Sequence, residues 1–491
     1  MSGAPEAWVT APLPHVGAEP HLGYALDLVL ADVLVRHGRQ RGRPVALRTG
    51  TDENTPYSAA AARAAGISPA GYAAARAATF TRLADALGVR PDRFVRTSAD
   101  PAHRRTVAWL WRTCLAAGDL YKGDYTGWFC DPCGRFRPGG DGGRCPEHGD
   151  GLRETREENW FFRMGRHAGA LRAALDAGVP RVVPQHRKHE VIGLLDAGLT
   201  DFSVSRPAAR AGGWGLPVPG DPGQLVHSWF DVLCGYLDGD APQQELVHVI
   251  GKGILRYHAA HWPAILRSAG LPAPRALLVH EHITVARGPL DAADPVALAD
   301  AYGPDALRWW LLREASRPVD VDFSVERMAA LANDELAGGL GNLVHRTVTM
   351  LHRYRPGRPV PAPVEPHDSA PAVLAAAAAL PDRIGAALDA LEPRAATEAL
   401  WALVGAGNRY VEEVAPWRLA ARERDGAPGA ALDEALGVAL TVCRRLATAL
   451  EPFLPAAAAR IAAQCGHPGG ELPPARPVIL RVEPLPEVAP C

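Results

Sequence analysis

The sequence predicts an α/β fold in which a doubly wound parallel sheet is interrupted by a long insertion and followed by an all-α region. Short apolar runs alternate with helical patterns up to about residue 113 and again from about residue 225, which is typical of parallel strands joined by crossover helices. Between them, residues 116–225 are rich in turns, glycine and cysteine. From about residue 326 to 466, apolar residues recur at three- and four-residue spacing, which indicates packed helices.

The composition is that of an ordinary globular protein. The chain has 491 residues, of which 47% are hydrophobic and 22% charged, and this length suggests about three domains. Its 52 basic and 54 acidic residues give a net charge of −2, so no overall charge attracts nucleic acid or membrane. The sequence shows no targeting leader, and no apolar run approaches the roughly 20 residues that a membrane span needs. We therefore expect a cytoplasmic protein without membrane contact.

The first predicted strand and helix meet at a junction suited to an anionic ligand. Residues 7–11 are apolar and end at prolines, and a long apolar helix begins at about Gly23, two residues after His21. A helix start presents unpaired backbone N–H groups, and a glycine there lets a ligand approach closely. The junction therefore predicts binding of a phosphate-bearing ligand.

A polar cluster follows the second predicted strand. Residues 44–47 are apolar and lead into 48–54, which contains Asp52 and Glu53. Open α/β sheets bind their ligands at the carboxyl ends of the strands. We therefore expect this cluster to face a ligand.

The insertion carries four metal-binding side chains in two pairs. Cys130 and Cys133 are followed, after eleven residues, by Cys145 and His148. Two such pairs supply the tetrahedral set of a structural zinc, and four protein ligands leave no position for a catalytic water. We predict a zinc ion that holds the insertion together. The eight cysteines of this long chain are too few for a disulfide framework.

The C-terminal part is predicted to be helical and then extended. A Pro-rich connector at 355–366 interrupts the helices, and the Ala-rich stretch 370–403 keeps an amphipathic stripe, so we predict a packed helix there. The stripe consists of Leu374, Leu380, Ile384, Leu388 and Leu391. The last twenty or so residues are Pro-rich and are expected to be extended or loosely attached.

Several blocks, taken in order, resemble the class I methionyl-tRNA synthetases. Residues 20–24 (PHLGY) resemble the family's HIGH signature, and 49–53 (TGTDE) its acidic strand-end motif. Further similar blocks are 121–123 (YKG), 127–128 (GW), 201–206 (DFSVSR), 215–220 (GLPVPG), 249–252 (VIGK) and 262–263 (WP). The similarity runs from about residue 7 to about 466.

The resemblance implies a domain plan. A Rossmann-type catalytic domain would occupy 1–115 and 226–325, split by a zinc-bearing connective insertion at 116–225. An all-α, anticodon-binding-type helical domain would occupy 326–466, and a Pro-rich tail 467–491.

The resemblance also implies ATP-dependent activation of an amino acid as its adenylate, with Mg²⁺, and transfer of the acyl group. Asp52 would hold the ammonium group of the amino acid, and Arg206 would lie near its carboxylate or the α-phosphate. The implied site residues are His21, Gly23, Tyr24, Arg206 and Arg287 for catalysis; Leu13, His15, Asp52, Trp229, Val232, Tyr236, Ile254 and His258 for the amino acid; His21, Gly23, Gly251 and Gly253 for ATP; and Asn342, Arg346 and Trp417 for tRNA.

The chain departs from the family at the lysine-rich KMSKS loop. The corresponding segment, 286–293, is shorter and contains no lysine, and Arg287 is its one cation. Loss of one preorganised contact to a departing anion can cost on the order of 10² to 10³ in rate. We therefore expect adenylation to be slow, rearranged or absent unless another group takes over.

Single substitutions also separate the chain from its family. Tyr24 replaces the second histidine of HIGH, and Gly253 replaces an aspartate near the nucleotide ribose. In the amino-acid pocket, His15 stands for tyrosine and Val232 for alanine. We expect a smaller and more polar pocket, which takes methionine or a different, smaller amino acid.

Three functions follow from these observations. The resemblance implies that the chain would be a methionine–tRNA ligase or its paralogue, or a recruited enzyme that transfers the acyl group to a small nucleophile. Such a nucleophile would be an N-hydroxylated amine in a hydrazine-forming natural-product pathway, with a cupin protein as partner. The third alternative is a non-catalytic protein that binds tRNA or an amino acid. The presence of Asp52, Arg206 and His21 favours an enzyme that activates an amino acid.

Overall fold

The structure is a computed structural model that describes residues 5–130, 135–137, 143–145, 149, 151–237, 245–285, 293–357, 371–467 and 470–483. The strands are β1 (Ala7–Thr10), β2 (Val45–Thr51), β3 (Arg93–Arg96), β4 (Leu120–Cys130), β5 (Arg135–Arg137), β6 (Arg153–Phe162), β7 (Arg181–Val183), β8 (Phe202–Ser203), β9 (Ser205–Pro207), β10 (Pro217–Val218), β11 (Asp221–Val226), β12 (Glu245–Gly251), β13 (Ala276–His280), β14 (Ile283–Thr284) and β15 (Val321–Asp322).

The α-helices are α1 (Leu22–Gln40), α2 (Pro56–Ala64), α3 (Pro69–Ala86), α4 (Pro101–Ala116), α5 (Ala168–Asp176), α6 (Gln185–Asp196), α7 (Ser228–Cys234), α8 (Trp262–Ser268), α9 (Pro295–Tyr302), α10 (Pro304–Trp310), α11 (Val325–Leu331), α12 (Asn342–Tyr354), α13 (Pro371–Asp389), α14 (Pro393–Val414), α15 (Pro416–Arg424), α16 (Ala430–Leu450) and α17 (Pro455–Cys465). Short 3₁₀ turns cover Met164–His167 and Lys252–Ile254, and π-helical turns cover Tyr257–His261, Leu311–Ala315 and Ala332–Gly341.

The central sheet is parallel throughout, in the order β3-β2-β1-β12-β13-β7. The chain moves outward from β1 through β2 to β3 and later returns to the other side of β1 with β12 and β13. The strand order therefore reverses beside β1, which is where doubly wound sheets form a crevice at the carboxyl ends of their strands. The predicted parallel sheet is confirmed.

The segment 116–225 is less separate from the sheet than the sequence suggests. Its strand β7 pairs with β13 at the edge of the central sheet. The rest forms two small antiparallel sheets, ordered β5-β4-β6-β8 and β10-β11-β9. The α/β pattern also resumes later than expected, because Leu225 lies in β11 of a small sheet and Trp229 in α7.

One buried arginine joins the central sheet region to the C-terminal helices. The Arg308 guanidinium in α10 is fully buried and donates to Asp32 Oδ2 in α1 at 2.8 Å. It also donates to the Phe453 carbonyl at 2.7 Å and the Leu87 carbonyl at 3.1 Å. A single guanidinium thus satisfies acceptors from three separate parts of the chain.

The helical region and the tail form one packed unit. The stripe residues of the Ala-rich stretch are buried, and the stretch forms two helices, α13 and α14. The described part of the tail, 470–483, forms no helix or strand, but it is not loosely attached, because the Asn333 side chain exchanges two hydrogen bonds of 2.8 Å with the backbone of Val482. Arg460 holds the Val478 carbonyl at 2.7 Å. In the described part of the chain, no helix is long and apolar enough to cross a membrane.

Candidate active site

A cavity of about 600 Å³ opens at the carboxyl ends of the central strands, beside the start of α1. Its walls combine apolar side chains with histidines and carboxylates. The residues predicted for this site that line it are Leu13, His15, His21, Gly23, Tyr24, Asp52, Trp229, Val232, Tyr236, Gly251, Gly253, Ile254 and His258.

The start of α1 presents His21 to the cavity. His21 is the N-cap, and its Nδ1 accepts a hydrogen bond from the Tyr24 backbone N–H at 3.3 Å. Because Nδ1 is an acceptor, the neutral ring carries its proton on Nε2. A side chain at position 23 would place its Cβ 3.0 Å from His21 Nδ1, so glycine leaves room for the cap. The arrangement offers an N–H group and a helix start to a phosphate.

Tyr24 supports the cavity wall. Its hydroxyl donates to Thr49 Oγ1 at 3.0 Å, and Thr49 in turn donates to the Pro12 carbonyl at 2.8 Å. Burial raises the pKa of the Tyr24 hydroxyl, which stays neutral. The Tyr24 proton is thus used within the protein, while the residue lines the cavity.

Asp52 presents an unsatisfied oxygen immediately after β2. Its backbone N–H donates to the Pro14 carbonyl at 2.9 Å, which fixes its position. Among the described residues, its buried Oδ1 has no hydrogen-bond partner. Burial raises the pKa of Asp52 well above its usual range, and nearby Asp231 adds to the rise, whereas Arg206 lowers it. A cation in the cavity would satisfy Oδ1 and stabilise the carboxylate.

Arg206 is buried but does not line the cavity. Burial and the neighbouring Arg210 lower its pKa to about 10, so it stays protonated near neutral pH. Its charge acts on Asp52. The structure therefore does not bring Arg206 to the ligand surface as predicted; it supports the carboxylate of Asp52.

A second buried carboxylate, Asp231, escaped the sequence reasoning. His103 Nε2 lies 2.7 Å from its Oδ1, and Asn54 Nδ2 donates to its Oδ2 at 2.9 Å. Asn54 is two residues beyond Asp52, so this network ties the strand end to α7. No short motif predicts it, because the partners are far apart in sequence.

The side-chain pocket has a polar end that is already satisfied. His258 Nδ1 donates to the Ile254 carbonyl at 3.1 Å, and its Nε2 accepts from the Tyr236 hydroxyl at 2.9 Å. Burial lowers the pKa of His258 to about 4, so the ring is neutral. Trp229 stacks on Tyr257 with ring centroids 3.5 Å apart. The pocket thus presents mainly apolar surface to a ligand.

His15 does not make the pocket more polar as expected. Its Nδ1 accepts from the Gly17 backbone N–H at 2.8 Å, and its Nε2 bonds to Thr55 Oγ1. Burial lowers the pKa of His15 to about 4. Both ring nitrogens hold the loop after β1, so the ring offers only its carbon atoms to a ligand.

The end of β13 adds three cavity residues that the sequence analysis missed: His280, Glu281 and His282. His280 Nε2 lies 2.8 Å from Asp27 Oδ1, and its Nδ1 donates to the Glu281 carbonyl at 2.8 Å. The sequence did contain a signal for these residues, because polar residues at the carboxyl end of a predicted parallel strand are expected to face the ligand.

Comparisons with known proteins show the family of the chain. The family model for class I tRNA synthetases (M) matches residues 7–155 and 149–348, and the model for the anticodon binding domain of methionyl tRNA ligase matches 360–481. Methionine–tRNA ligase of Mycobacterium bovis is 34% identical, over 97% of this chain and 98% of its own length. The chain belongs to the methionyl-tRNA synthetase family.

Other relatives give the same result. Methionine–tRNA ligase of Thermosynechococcus vestitus is 35% identical, over 94% of this chain and 90% of its own length. The structure of Mycobacterium tuberculosis methionyl-tRNA synthetase in complex with methionyl-adenylate has a TM-score of 0.88 and 32% identity, covering 98% of this chain and 100% of that one. Its apo form gives a TM-score of 0.82. The chain is thus a ligase of the aminoacyl-tRNA synthetase class.

Some residues that the synthetase resemblance implies lie outside the described residues. These are Arg287 of the loop 286–293 and two of the four predicted zinc ligands, Cys133 and His148. The other two, Cys130 and Cys145, are buried. Within the described ranges, no group of three or more His, Cys, Asp or Glu is arranged to hold a metal.

The three residues that the synthetase resemblance assigns to tRNA lie at the surface of the helical region. Asn342 is exposed at the start of α12, and Trp417 is 37% exposed in α15. The Arg346 guanidinium lies 5.6 Å from the Trp417 ring centroid and 2.5 Å from Glu412 Oε1. An exposed indole beside a guanidinium can stack with an unpaired base.

Proposed function

We propose that the chain activates methionine with ATP to form methionyl adenylate and transfers the methionyl group to tRNA. The observation that supports this most is one cavity that joins the buried Oδ1 of Asp52, the His21 helix start and a mainly apolar side-chain pocket. The Asp52 oxygen suits an ammonium group, and the helix start at His21 suits a phosphate. The apolar pocket suits a thioether side chain.

In the proposed reaction, the methionine ammonium binds Asp52 and its carboxylate oxygen attacks the α-phosphorus of ATP. The bond from that phosphorus to the bridging oxygen breaks, and pyrophosphate leaves. His21 donates from Nε2 to the phosphate, and the N-terminal N–H groups of α1 favour the same negative charge. Mg²⁺ enters as part of the substrate, bound to the triphosphate. Catalysis then depends on positioning and charge stabilisation.

The pocket walls support methionine as the amino acid. Leu13, Val232 and Ile254 line the cavity with aliphatic surface, and the Trp229 ring is held flat against Tyr257. The Tyr236 hydroxyl is occupied by His258. A polar side chain would lose its water in this pocket without gaining a partner, whereas a thioether needs none.

The surface around Arg346 and Trp417 supports tRNA as the acceptor. Both family models match, including the one for the anticodon binding domain. The comparisons give no support to a small-molecule acceptor, a cupin partner or a non-catalytic role.

Pyrophosphate exchange with each of the twenty amino acids tests the first half of the proposal. Methionine should give the highest kcat/KM, and charging of total tRNA with methionine should follow. Exchange dependent on another amino acid would refute methionine, and exchange without tRNA charging would refute the acceptor.

Arg346→Ala should impair tRNA charging selectively. The variant loses the guanidinium that lies beside the Trp417 ring, which we propose stacks on a tRNA base. The KM for tRNA should rise by about tenfold, since stacking contacts with unpaired bases contribute about 1–3 kcal/mol. Methionine-dependent pyrophosphate exchange should be unchanged. Arg383→Ala, which removes an exposed arginine of α13 in the same region, is the matched control. Equal charging by both variants would contradict the proposed tRNA surface.

We propose that Cys130, Cys133, Cys145 and His148 bind a structural zinc. Two observations on Cys130 and Cys145, the two ligands that the structure describes, fit this. Both cysteines are buried. The Gly149 N–H donates to the Cys145 carbonyl at 2.7 Å, which brings the backbone at 149 close to Cys145. Cys130→Ser should lower bound zinc, measured by atomic absorption, from about one ion per chain to near zero. Cys491→Ser should keep its zinc. Full zinc content in Cys130→Ser would contradict the assignment.

A further inference from the structure

The cavity walls carry no permanent cation. In the described part of the chain, no lysine or arginine lines the cavity, although five histidines do: His15, His21, His258, His280 and His282. Segment 286–293 also contains no lysine. A site for a triphosphate needs positive charge or N–H donors, so these histidines are the candidates to provide them.

Three of the five histidines are already committed. His15 uses both ring nitrogens for Gly17 and Thr55. His258 uses both for Ile254 and Tyr236, and His280 uses both for Glu281 and Asp27. None of these rings can donate to a ligand without losing an internal hydrogen bond.

His21 and His282 remain. His21 has its Nε2 N–H available, as described above. The His282 ring makes no hydrogen bond to any of the described residues, and His282 is exposed at the rim of the cavity. A Cβ added at Gly253 would lie 3.6 Å from His282 Nε2, so the missing side chain at 253 leaves this nitrogen uncovered.

The backbone of His282 is fixed on both sides. Its N–H donates to Asp320 Oδ1 at 3.0 Å, and its carbonyl accepts from the Val321 N–H at 3.0 Å. These bonds continue into the pairing of β14 with β15. The side chain is therefore carried on a defined segment at the cavity rim.

The charged groups around His282 neutralise one another. Lys252 Nζ lies 2.5 Å from Asp320 Oδ1 and 3.2 Å from Glu281 Oε2. Arg187 and His186 also bond to Glu281. The cations Lys252 and Arg187 are committed to carboxylates, and Glu281 is compensated, so it does not repel an anion at the rim.

We propose that His282 binds the phosphates of the nucleotide as an imidazolium beside the neutral N–H donor His21, and so supplies a positive charge at a site where segment 286–293 has no lysine. This inference rests on the proposed ATP-dependent function and adds a phosphate-binding residue to it. Gly253 serves the same contact, because a side chain there would meet the His282 ring.

The inference predicts uptake of a proton when nucleotide binds. Burial and Lys252 lower the pKa of His282, Asp320 and Glu281 raise it, and His280 lowers it, with a lowered pKa as the net result. His21, whose pKa is also lowered, responds to His282 as a neighbouring charge. The free ring is thus largely neutral at pH 7, and a bound triphosphate raises its pKa. Affinity for nucleotide should therefore rise as the pH falls.

Titration calorimetry with MgATP at pH 6, 7 and 8 tests this on the full chain. The wild-type Kd should tighten by about tenfold from pH 8 to pH 6, the size expected of one charge-assisted contact. At pH 6, His282→Ala should bind MgATP about tenfold more weakly than the wild type does. The Kd of this variant should change little with pH, apart from the change that the titration of ATP itself causes. His282→Lys should bind tightly at all three values.

His189→Ala, which removes an exposed histidine of α6 outside the cavity, is the control and should follow the wild type. If the wild type binds MgATP but His282→Ala shows the same affinity and pH dependence, the role of His282 is refuted and the proposed function stands. If the wild type binds no MgATP, both are refuted.

Discussion

Asp52→Ala should abolish methionine-dependent pyrophosphate exchange, with kcat/KM lowered by about 10² to 10⁴. The variant leaves the ammonium group of methionine in a buried site without its carboxylate, and removal of one partner from a buried ion pair costs about 3–5 kcal/mol. Oδ1 of Asp52 has no other hydrogen-bond partner among the described residues, so this oxygen is available to the ammonium group. Exchange assays at several methionine concentrations measure the loss.

Asp52→Asn separates the charge from the shape of this residue. The amide keeps the volume but cannot balance an ammonium group, so it should lose nearly as much activity as alanine. Melting temperatures of both variants are measured alongside, so that a loss of exchange in a folded variant reports on the ammonium site. Wild-type exchange in either variant would refute the ammonium site.

Arg308→Met should destabilise the protein more than any surface substitution. The guanidinium is fully buried and bonds to Asp32 and to the carbonyls of Leu87, Pro452 and Phe453. Methionine keeps much of the volume but leaves these acceptors unsatisfied, which should cost about 3–5 kcal/mol. Thermal unfolding followed by circular dichroism should show a melting temperature lowered by several degrees.

Arg275→Met is the control for Arg308→Met. Arg275 forms one ion pair with Glu245 at 2.8 Å, and both side chains are about half exposed. Pairs of this kind contribute about 0–1 kcal/mol, so its melting temperature should barely change. Equal melting temperatures for the two variants would contradict the view that Arg308 joins the two parts of the fold.

The sequence predicts the parts of the fold that depend on local patterns. The strand before residue 11, the helix after His21 and the polar strand end at Asp52 all follow from short apolar runs and the strand-end rule. The edge strand β7 could not be predicted, because Arg181–Val183 is too short to show a pattern. No sequence pattern predicts that the tail packs against the helices, since this contact joins the side chain of Asn333 to the backbone of Val482, 149 residues apart.

For the candidate site, the sequence likewise indicates which residues belong to it, but not which hydrogen-bond partners they have in the folded chain. Leu13, Asp52 and Trp229, which the resemblance assigns to the amino acid, line one cavity. The expected polarity of His15 was wrong, because the polarity that a side chain offers to a ligand depends on whether its hydrogen bonds are already used. The three residues at the end of β13 and directly after it, His280, Glu281 and His282, were missed although the strand-end rule covers them.

Determination of the structure after incubation with methionine and MgATP tests the central claim most directly. The account predicts methionyl adenylate in the cavity, with its ammonium nitrogen within about 3 Å of Asp52 Oδ1, a normal hydrogen-bond distance, and its phosphate beside His21 at the start of α1. An empty cavity, or a bound adenylate whose ammonium group points away from Asp52, would contradict it.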